Sequence, residues 1–202
     1  MHALFFEVTP KPGHDDHYFG IAATLKPRVE KSGGMLFLDR YRSLTRPGTI
    51  LSYQHWRDEA ALLKWREDQM HKGAQKAGRE KHFADYRIRI GEIFKGFSRD
   101  QASPEFTSQQ IAKDKGRGLV MAVESVGKAF PRGEPFESVN RDGVHVSVLH
   151  IANLEEGEEI LRDAETQEYV TGAILCSVVR DYGMFERDEA PQDYPPVERA
   201  AT

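Results

Sequence analysis

MLFLDRYRSLTRPGTILSYQHW, residues 35–56, is the stretch on which the fold turns. Residues 35–44 alternate apolar with polar, and residues 49–56 form a second strand-like run. Arg46-Pro47-Gly48 between them is a turn. Upstream, Gly33-Gly34 stops a helix predicted over 15–31, in which Tyr18, Ala22, Leu25 and Val29 recur at helical spacing. Asp15 and Asp16 suit the positive end of that helix. Residues 3–9 read as a first strand, broken by KPGHDD. Downstream, Asp58 can cap a second helix. Its inner face would carry Ala61 or Leu62, Trp65 and Met70, and it continues or kinks through Ala74 and Ala77 to about His82. Residues 83–94 are a long fourth strand. The order is β-α-β-β-α-β, the split βαβ pattern of a ferredoxin-like α+β unit. Helices cover one face of such a sheet, and the other face needs a second cover or it remains a large exposed apolar patch.

The rest of the chain supplies that cover. Residues 95–118 are polar and without strong periodicity, a linker with a short helix expected near 106–112. Strands are predicted at 119–126, 136–140, 144–151 and 173–185, with a helix capped by Asn153 and running to about residue 165. At an offset of 95 residues, Gly48, Ser52, His55 and Asp68 fall on Gly143, Ser147, His150 and Asp163. About ten residues, including Pro131, Gly133 and Pro135, separate the first two strands of this half, too few and too broken for a first helix. The second half therefore reads as a degenerate copy. The expected organisation is a ferredoxin-like domain over 1–97, a linker over 98–118, a degenerate second domain over 119–187 and an irregular, acidic then proline-rich tail over 188–202. Two such sheets in tandem form an intramolecular α+β barrel and hide each other's bare faces. At about 25 cal/mol per Å2, a few hundred Å2 per sheet contributes several kcal/mol. Fusion in one chain also avoids the entropy of bringing two molecules together.

Composition excludes several functions. Hydrophobic residues are 39% and charged residues 30% of the 202, with a net charge of −4, which gives no general attraction to nucleic acid or to acidic membranes. No apolar run approaches the roughly 18 residues needed to cross a bilayer. The opening MHALFFEVTPKPG does not read as a secretion signal, so a reducing cytoplasm is expected. The single cysteine, Cys176, excludes an internal disulfide and a cysteine-based zinc cluster, and it reads as a small core residue. No GxGxxG, phosphate-binding loop or GxSxG motif is present.

FFEVTPKPG, LDRYRSLTRPGTILSYQHWRDEAALLKWRED and MHKGAQKAGREKHFADYRIRIGEIF together make the first 95 residues resemble the antibiotic biosynthesis monooxygenase superfamily, the dimeric α+β barrel group. The resemblance implies a barrel built of two sheets, usually from two chains, with a pocket between sheet and helices of each complete unit. Only the first unit here is complete, so one functional pocket is expected. Some members oxidise polyphenols with O2 and no cofactor, some degrade haem, and others act on small metabolites. The haem-degrading branch uses an asparagine on the first strand, a tryptophan on the second helix and a histidine about ten residues later. Trp65 fits that tryptophan, but the first strand lacks asparagine and Gln75 stands in place of the iron ligand, so haem is not expected.

Oxidation of a phenol or enol by O2 needs an aromatic-lined pocket, a base and donors aimed at the anion. The candidate catalytic residues are His71, His55 and Trp65, and the candidate substrate-binding residues are Phe6, Phe37, Arg40 and Tyr86, with Arg79 a further possible cation. Each has a plainer reading. The two tryptophans suit a core. His71 suits the end of a helical segment, where protonated histidine is favoured. His55, matched to His150, suits the sheet interface. Arg40, Arg42, Arg87 and Arg89 suit a solvated or cross-strand paired face, and Arg79 the surface. His14-Asp15-Asp16-His17 resembles a metal cluster, but it opens a helix where acids are favoured for the dipole, so no metal is expected. The function these features suggest is a cofactor-independent monooxygenase acting on a small aromatic or quinol-type metabolite. The alternative is a non-catalytic small-molecule-binding or stress-response barrel. The expected partners are a small-molecule ligand and a second copy of the fused barrel, not nucleic acid or membrane.

Overall fold

The computed structural model describes residues 1–99 and 117–199. The first half runs β1 (His2–Pro10), α1 (Asp15–Lys31), β2 (Met35–Ser43), β3 (Ile50–Trp56), α2 (Glu59–Arg66), α3 (Gln69–Ala77), a π-helical turn (Gly78–His82) and β4 (Phe83–Ser98). The second runs β5 (Leu119–Val126), β6 (Glu134–Ser138), β7 (Val144–Ile151), α4 (Leu154–Thr166) and β8 (Val170–Gly183). The short helix expected near 106–112, with nearly all of the predicted linker, lies outside the described residues. No described helix is long and apolar enough to cross a membrane.

All eight strands join antiparallel into one closed barrel, ordered β1-β3-β2-β6-β7-β5-β8-β4. Each half contributes four adjacent strands, and the two seams are β4 with β8 and β2 with β6. The first seam is long, from Arg87 opposite Gly183 to Ser98 opposite Gly172, while the second holds three residue pairs, Tyr41 to Ser43. The internal repeat is visible in the backbone. Gly48 and Gly143 each turn with positive φ, 79° and 65°, just before β3 and β7, a conformation that favours glycine. Ser52 and Ser147 then face out of the barrel, while His55 and His150 take the inward register.

Period-two alternation gives every strand two destinations. Phe5, Tyr41 and Leu51 from the first half meet Val120, Phe136 and Cys176 from the second in one core inside the barrel. Each half therefore covers the other's bare face. Outside, Leu4, Phe6, Leu38, Ile88 and Ile90 lie under α1, α2 and α3. In the second half the segment before β6 replaces the missing helix: Phe130 is buried, and its carbonyl accepts a hydrogen bond from Ser147 Oγ at 3.1 Å. Under α4 the packing is closed. A Cβ on Gly157 would stand 2.9 Å from Leu175 and 3.2 Å from Ile151, so the helix lies directly on its sheet.

The barrel interior also holds charge. Arg89, expected on a solvated or cross-strand paired face, is 3% exposed and pairs with Glu7 on the neighbouring strand β1, which also accepts from Arg46 Nη2 at 2.5 Å. His150 Nε2 lies 3.0 Å from Arg89 Nη1. Arg87 pairs across the seam with Asp181 at 2.5 Å. The odd-numbered register of β4 aims these groups into the barrel, where β1 supplies the counter-charge of Arg89 and β8 that of Arg87.

Phe37 and His55 need correction as pocket residues, because they occupy the inward register. Phe37 packs on the barrel core, and the His55 ring lies 4.8 Å from Tyr53 and 5.1 Å from Phe37, with Nε2 2.7 Å from the Tyr53 hydroxyl. Burial pushes the His55 imidazole down to about 4. The unfolded chain, with a histidine near 6.5, then binds more protons than the folded one below neutral pH. Stability is therefore full above pH 6.5 and falls as the pH drops toward 4. His55 keeps an edge to solvent, which damps the effect to about 1–2 kcal/mol between pH 7 and 5. Urea midpoints at the two pH values should show this loss, and His55→Gln should remove most of it. An unchanged pH dependence in the variant would show that His55 is not its source.

Candidate functional site

Between the outer face of the first sheet and its helices lie two adjoining cavities, of about 300 Å3 and about 140 Å3. They share Phe6, Gln54, Trp65, His71, Gln75 and Phe83 as lining. Register builds the floor in rows across the strands. One row is Arg40, Ser52, Phe6 and Ile88, and the next is Leu38, Gln54, Leu4 and Ile90. The larger cavity reaches α1 through Tyr18, Leu25 and Val29, and the smaller one reaches β8 and the tail through Tyr182, Arg187 and Tyr194. Ile21 and Met70, 37% and 45% exposed, line the larger cavity at the protein surface. Met70 was expected on the buried face.

The chain break at Asp68 explains that change. Helix α2 ends at Arg66, and Asp68 Oδ1 then accepts from the backbone N–H groups of Met70 and His71, both at 3.0 Å, to start α3. This turns Met70 outward and folds His71 back over the preceding helix. The His71 and Trp65 rings stack 4.4 Å apart at 16°. His71 thus sits in the first turn of α3 and does not close the helix before it. Its Nδ1 lies 3.1 Å from the Trp65 carbonyl oxygen. Gln75 Nε2, a donor, lies 3.3 Å from the same nitrogen, but the shorter contact is to the carbonyl, which can only accept, so the proton is placed on Nδ1 and the lone pair on Nε2. Burial holds His71 below the ordinary histidine range, so the ring is neutral at pH 7.

Of the other expected site residues, Phe6, Arg40, Tyr86 and Trp65 are brought together with His71 around these cavities. Arg79, expected on the surface, is 4% exposed. It donates to the Tyr86 hydroxyl and, at 3.0 Å, to the Pro195 carbonyl. Gln75 lines both cavities and accepts from the Tyr194 hydroxyl at 3.3 Å. The HDDH stretch does not gather carboxylates: His14 Nδ1 lies 2.8 Å from His82 Nδ1, and His17 stacks on His82 at 3.6 Å. No group of three or more His, Cys, Asp or Glu among the described residues is placed to hold a metal ion.

Sequence reasoning missed Tyr18, Gln54 and the tail as parts of the site. Residues 184–199 have no helix or strand, yet they run across the first half as a strap. Met184 is buried, Arg66 pairs with Asp193, and Tyr194 donates to the Lys72 carbonyl at 3.2 Å. Phe185 and Tyr194, in an otherwise polar and proline-rich tail, were the signal for it in the sequence. Removing the chain after Glu186 should open the smaller cavity to water. A ligand that reaches it should then bind roughly tenfold more weakly, as expected for loss of a few tens of Å2 of apolar contact. Unchanged ligand affinity of the truncated protein would show that the strap is not part of the binding wall.

The sequence profile of the antibiotic biosynthesis monooxygenase family matches residues 1–77. The jasmonate monooxygenase ABM of Pyricularia oryzae is 32% identical over 223 residues, an alignment covering 97% of this chain and 99% of that protein. Among solved structures, a Deinococcus radiodurans protein assigned to the antibiotic biosynthesis monooxygenases is 18% identical, covering 47% of this chain and 94% of that one with a TM-score of 0.43. A Fusobacterium nucleatum protein assigned as a monooxygenase is 8% identical, covering 89% and 93% with a TM-score of 0.43.

Proposed function

Because the chain belongs to the antibiotic biosynthesis monooxygenase family, we propose that it oxidises a small metabolite with O2 in the paired cavities of its first half, without a bound cofactor. The substrate class that the residues favour is an aromatic or quinol-type compound that ionises on binding. The observation that carries this reading is His71. It is a neutral imidazole, stacked on Trp65, with its Nδ1 proton committed to a carbonyl and its Nε2 lone pair free to accept a proton. In this reading His71 takes the proton of an acidic C–H or O–H group, and Phe6, Trp65 and Phe83 hold the ring system away from water. An activated CH2 group can then become C=O, with the second oxygen atom leaving as water. The substrate supplies all four electrons, so no added reductant enters. Insertion of one oxygen into an unactivated C–H bond would differ, since it consumes two further electrons.

The relative's name adds jasmonate to the compounds worth testing. The experiment is O2 uptake with 18O2 labelling over a panel of phenols, quinols, anthrone-type compounds and jasmonate, with and without NADH. Uptake without NADH, with label in the product and dependence on His71, is the expected result. No uptake by any compound, together with equal ligand binding by wild type and Trp65→Ala, would instead favour a non-catalytic binding protein. The barrel closes within one chain, so a second copy is not required to complete this site.

A further inference from the structure

Among the described residues, neither cavity is lined by an aspartate or a glutamate, although both contain cations. In the smaller cavity those cations are engaged. Arg66 pairs with Asp193, Arg79 binds Tyr86 and Pro195, and Arg187 donates to the Pro191 carbonyl at 2.9 Å. In the larger one Lys26 stands at the rim, 61% exposed and 4.0 Å from Glu30. Arg40 differs. Its Nε is buried and has no hydrogen-bond partner among the described residues. A buried guanidinium N–H without an acceptor is unfavourable, and such groups are ordinarily satisfied.

Two hydroxyl groups stand beside it. Ser52 is its direct cross-strand neighbour, and the Tyr18 phenol faces both the Arg40 guanidinium and the Ser52 hydroxyl. Burial pushes the Tyr18 phenol up, so it keeps its proton. Ser52 Oγ already accepts from Gln54 Nε2 at 3.0 Å, which leaves the serine proton to donate. Gln54 is held in that orientation by Trp56 Nε1, which donates to its carbonyl oxygen at 2.9 Å. The Tyr18 oxygen takes the Ser52 proton and a guanidinium N–H, so the Arg40 Nε–H and the Tyr18 O–H are the two donors left beside a place with no acidic side chain among the described residues, between Leu25, Val29, Leu38 and Phe6.

We propose that this place binds the carboxylate of a singly charged, amphipathic small molecule, anchored on Arg40, whose apolar body runs over Phe6 toward Ile88. The proposal deepens the reading of the cavities as a substrate site and rests on it. A planar two-oxygen anion matches the side-on fork of a guanidinium. A single cation balances one negative charge, whereas a phosphate dianion would remain partly uncompensated among apolar walls. From β2 across β3 and β1 to β4 is three strand spacings, about 14 Å, which sets the length of the apolar body.

The test is calorimetric titration of the full chain with 4-phenylbutyrate and decanoate, and with the two corresponding primary amides. Wild type should bind each acid at least about tenfold tighter than its amide. Arg40→Gln should weaken the acids by roughly 10- to 100-fold and leave the amides unchanged, as expected for a charge-assisted pair. Arg40→Lys should fall between, keeping charge without the fork. Acid and amide binding equally to wild type, a comparison that needs no variant, overturns the proposal. So does binding of neither acid, or tighter binding of decyl phosphate than of decanoate. Acid selectivity without O2 uptake would sustain this assignment and remove the monooxygenase reading. Uptake with neutral phenols and no acid selectivity would do the reverse.

Discussion

His71→Gln is expected to lower the O2-consuming turnover by about 10^2- to 10^4-fold, the range for loss of a positioned general base. Glutamine can still donate to the Trp65 carbonyl, so the break between α2 and α3 should persist and the variant should fold. The kinetic signature separates a base from a wall. A base acts in the transition state, so kcat should fall with KM nearly constant, whereas a wall residue would raise KM. The pH profile gives a second readout. His71 works as a base only when neutral, and burial holds it below the ordinary histidine range. Wild-type turnover should therefore be level through neutral pH and fall only in acid, as the imidazole gains a proton. The variant should lose that acid limb. A rise in KM with an unchanged kcat would make His71 a contact residue and move the base elsewhere.

Arg141→Ala is expected to destabilise the fold by about 2–3 kcal/mol, below the usual range for breaking a buried pair because the arginine side chain keeps 37% exposure. This side chain joins the two halves inside the barrel. It donates to Asp39 at 2.9 Å, to Glu124 at 2.8 Å and to the Tyr41 hydroxyl at 2.6 Å. Asp39 is 4% exposed. Burial pushes its carboxyl up, but hydrogen bonds from Asn140, Ser138 and Arg141 outweigh burial and hold it below the usual carboxylate range. The sign follows: Asp39 contributes stability above the unfolded carboxylate value and loses it as the pH falls through the folded one. The deficit of the variant should thus be largest near pH 7 and shrink in acid, as Asp39 becomes neutral and no longer needs a counter-charge. Urea unfolding at several pH values measures it, and a cycle with Asp39→Asn isolates the pair. Coupling under about 0.5 kcal/mol would reduce Arg141 to a surface residue with good geometry.

Element order was legible because local chemistry is enough for it. Strands β5 and β7 and helix α1 begin and end where alternation, helical spacing and caps place them. The 95-residue offset survives as matched glycine turns and matched inward histidines. The break between α2 and α3 was half visible, since a helix that continues or kinks was expected there. Its consequence for Met70 and His71 was not, because a cap in mid-sequence does not say that the helix stops before it.

What the sequence by itself determined is which residues share a face: period two on strands and 3.6 on helices are properties of the backbone, readable from spacing alone. It could not say which of two faces is the pocket, since both faces of the first sheet are buried, one by helices and one by the second half. Phe37 and His55 went to the barrel and Arg40 and Ser52 to the cavity on a choice made only when the two sheets closed together. The strap over Arg79 and Gln75 is tertiary for a similar reason: residues 184–199 form no helix or strand of their own, and their position comes from contacts with the first half, joined by Arg117 and Asp181, which hold Glu189 from the second.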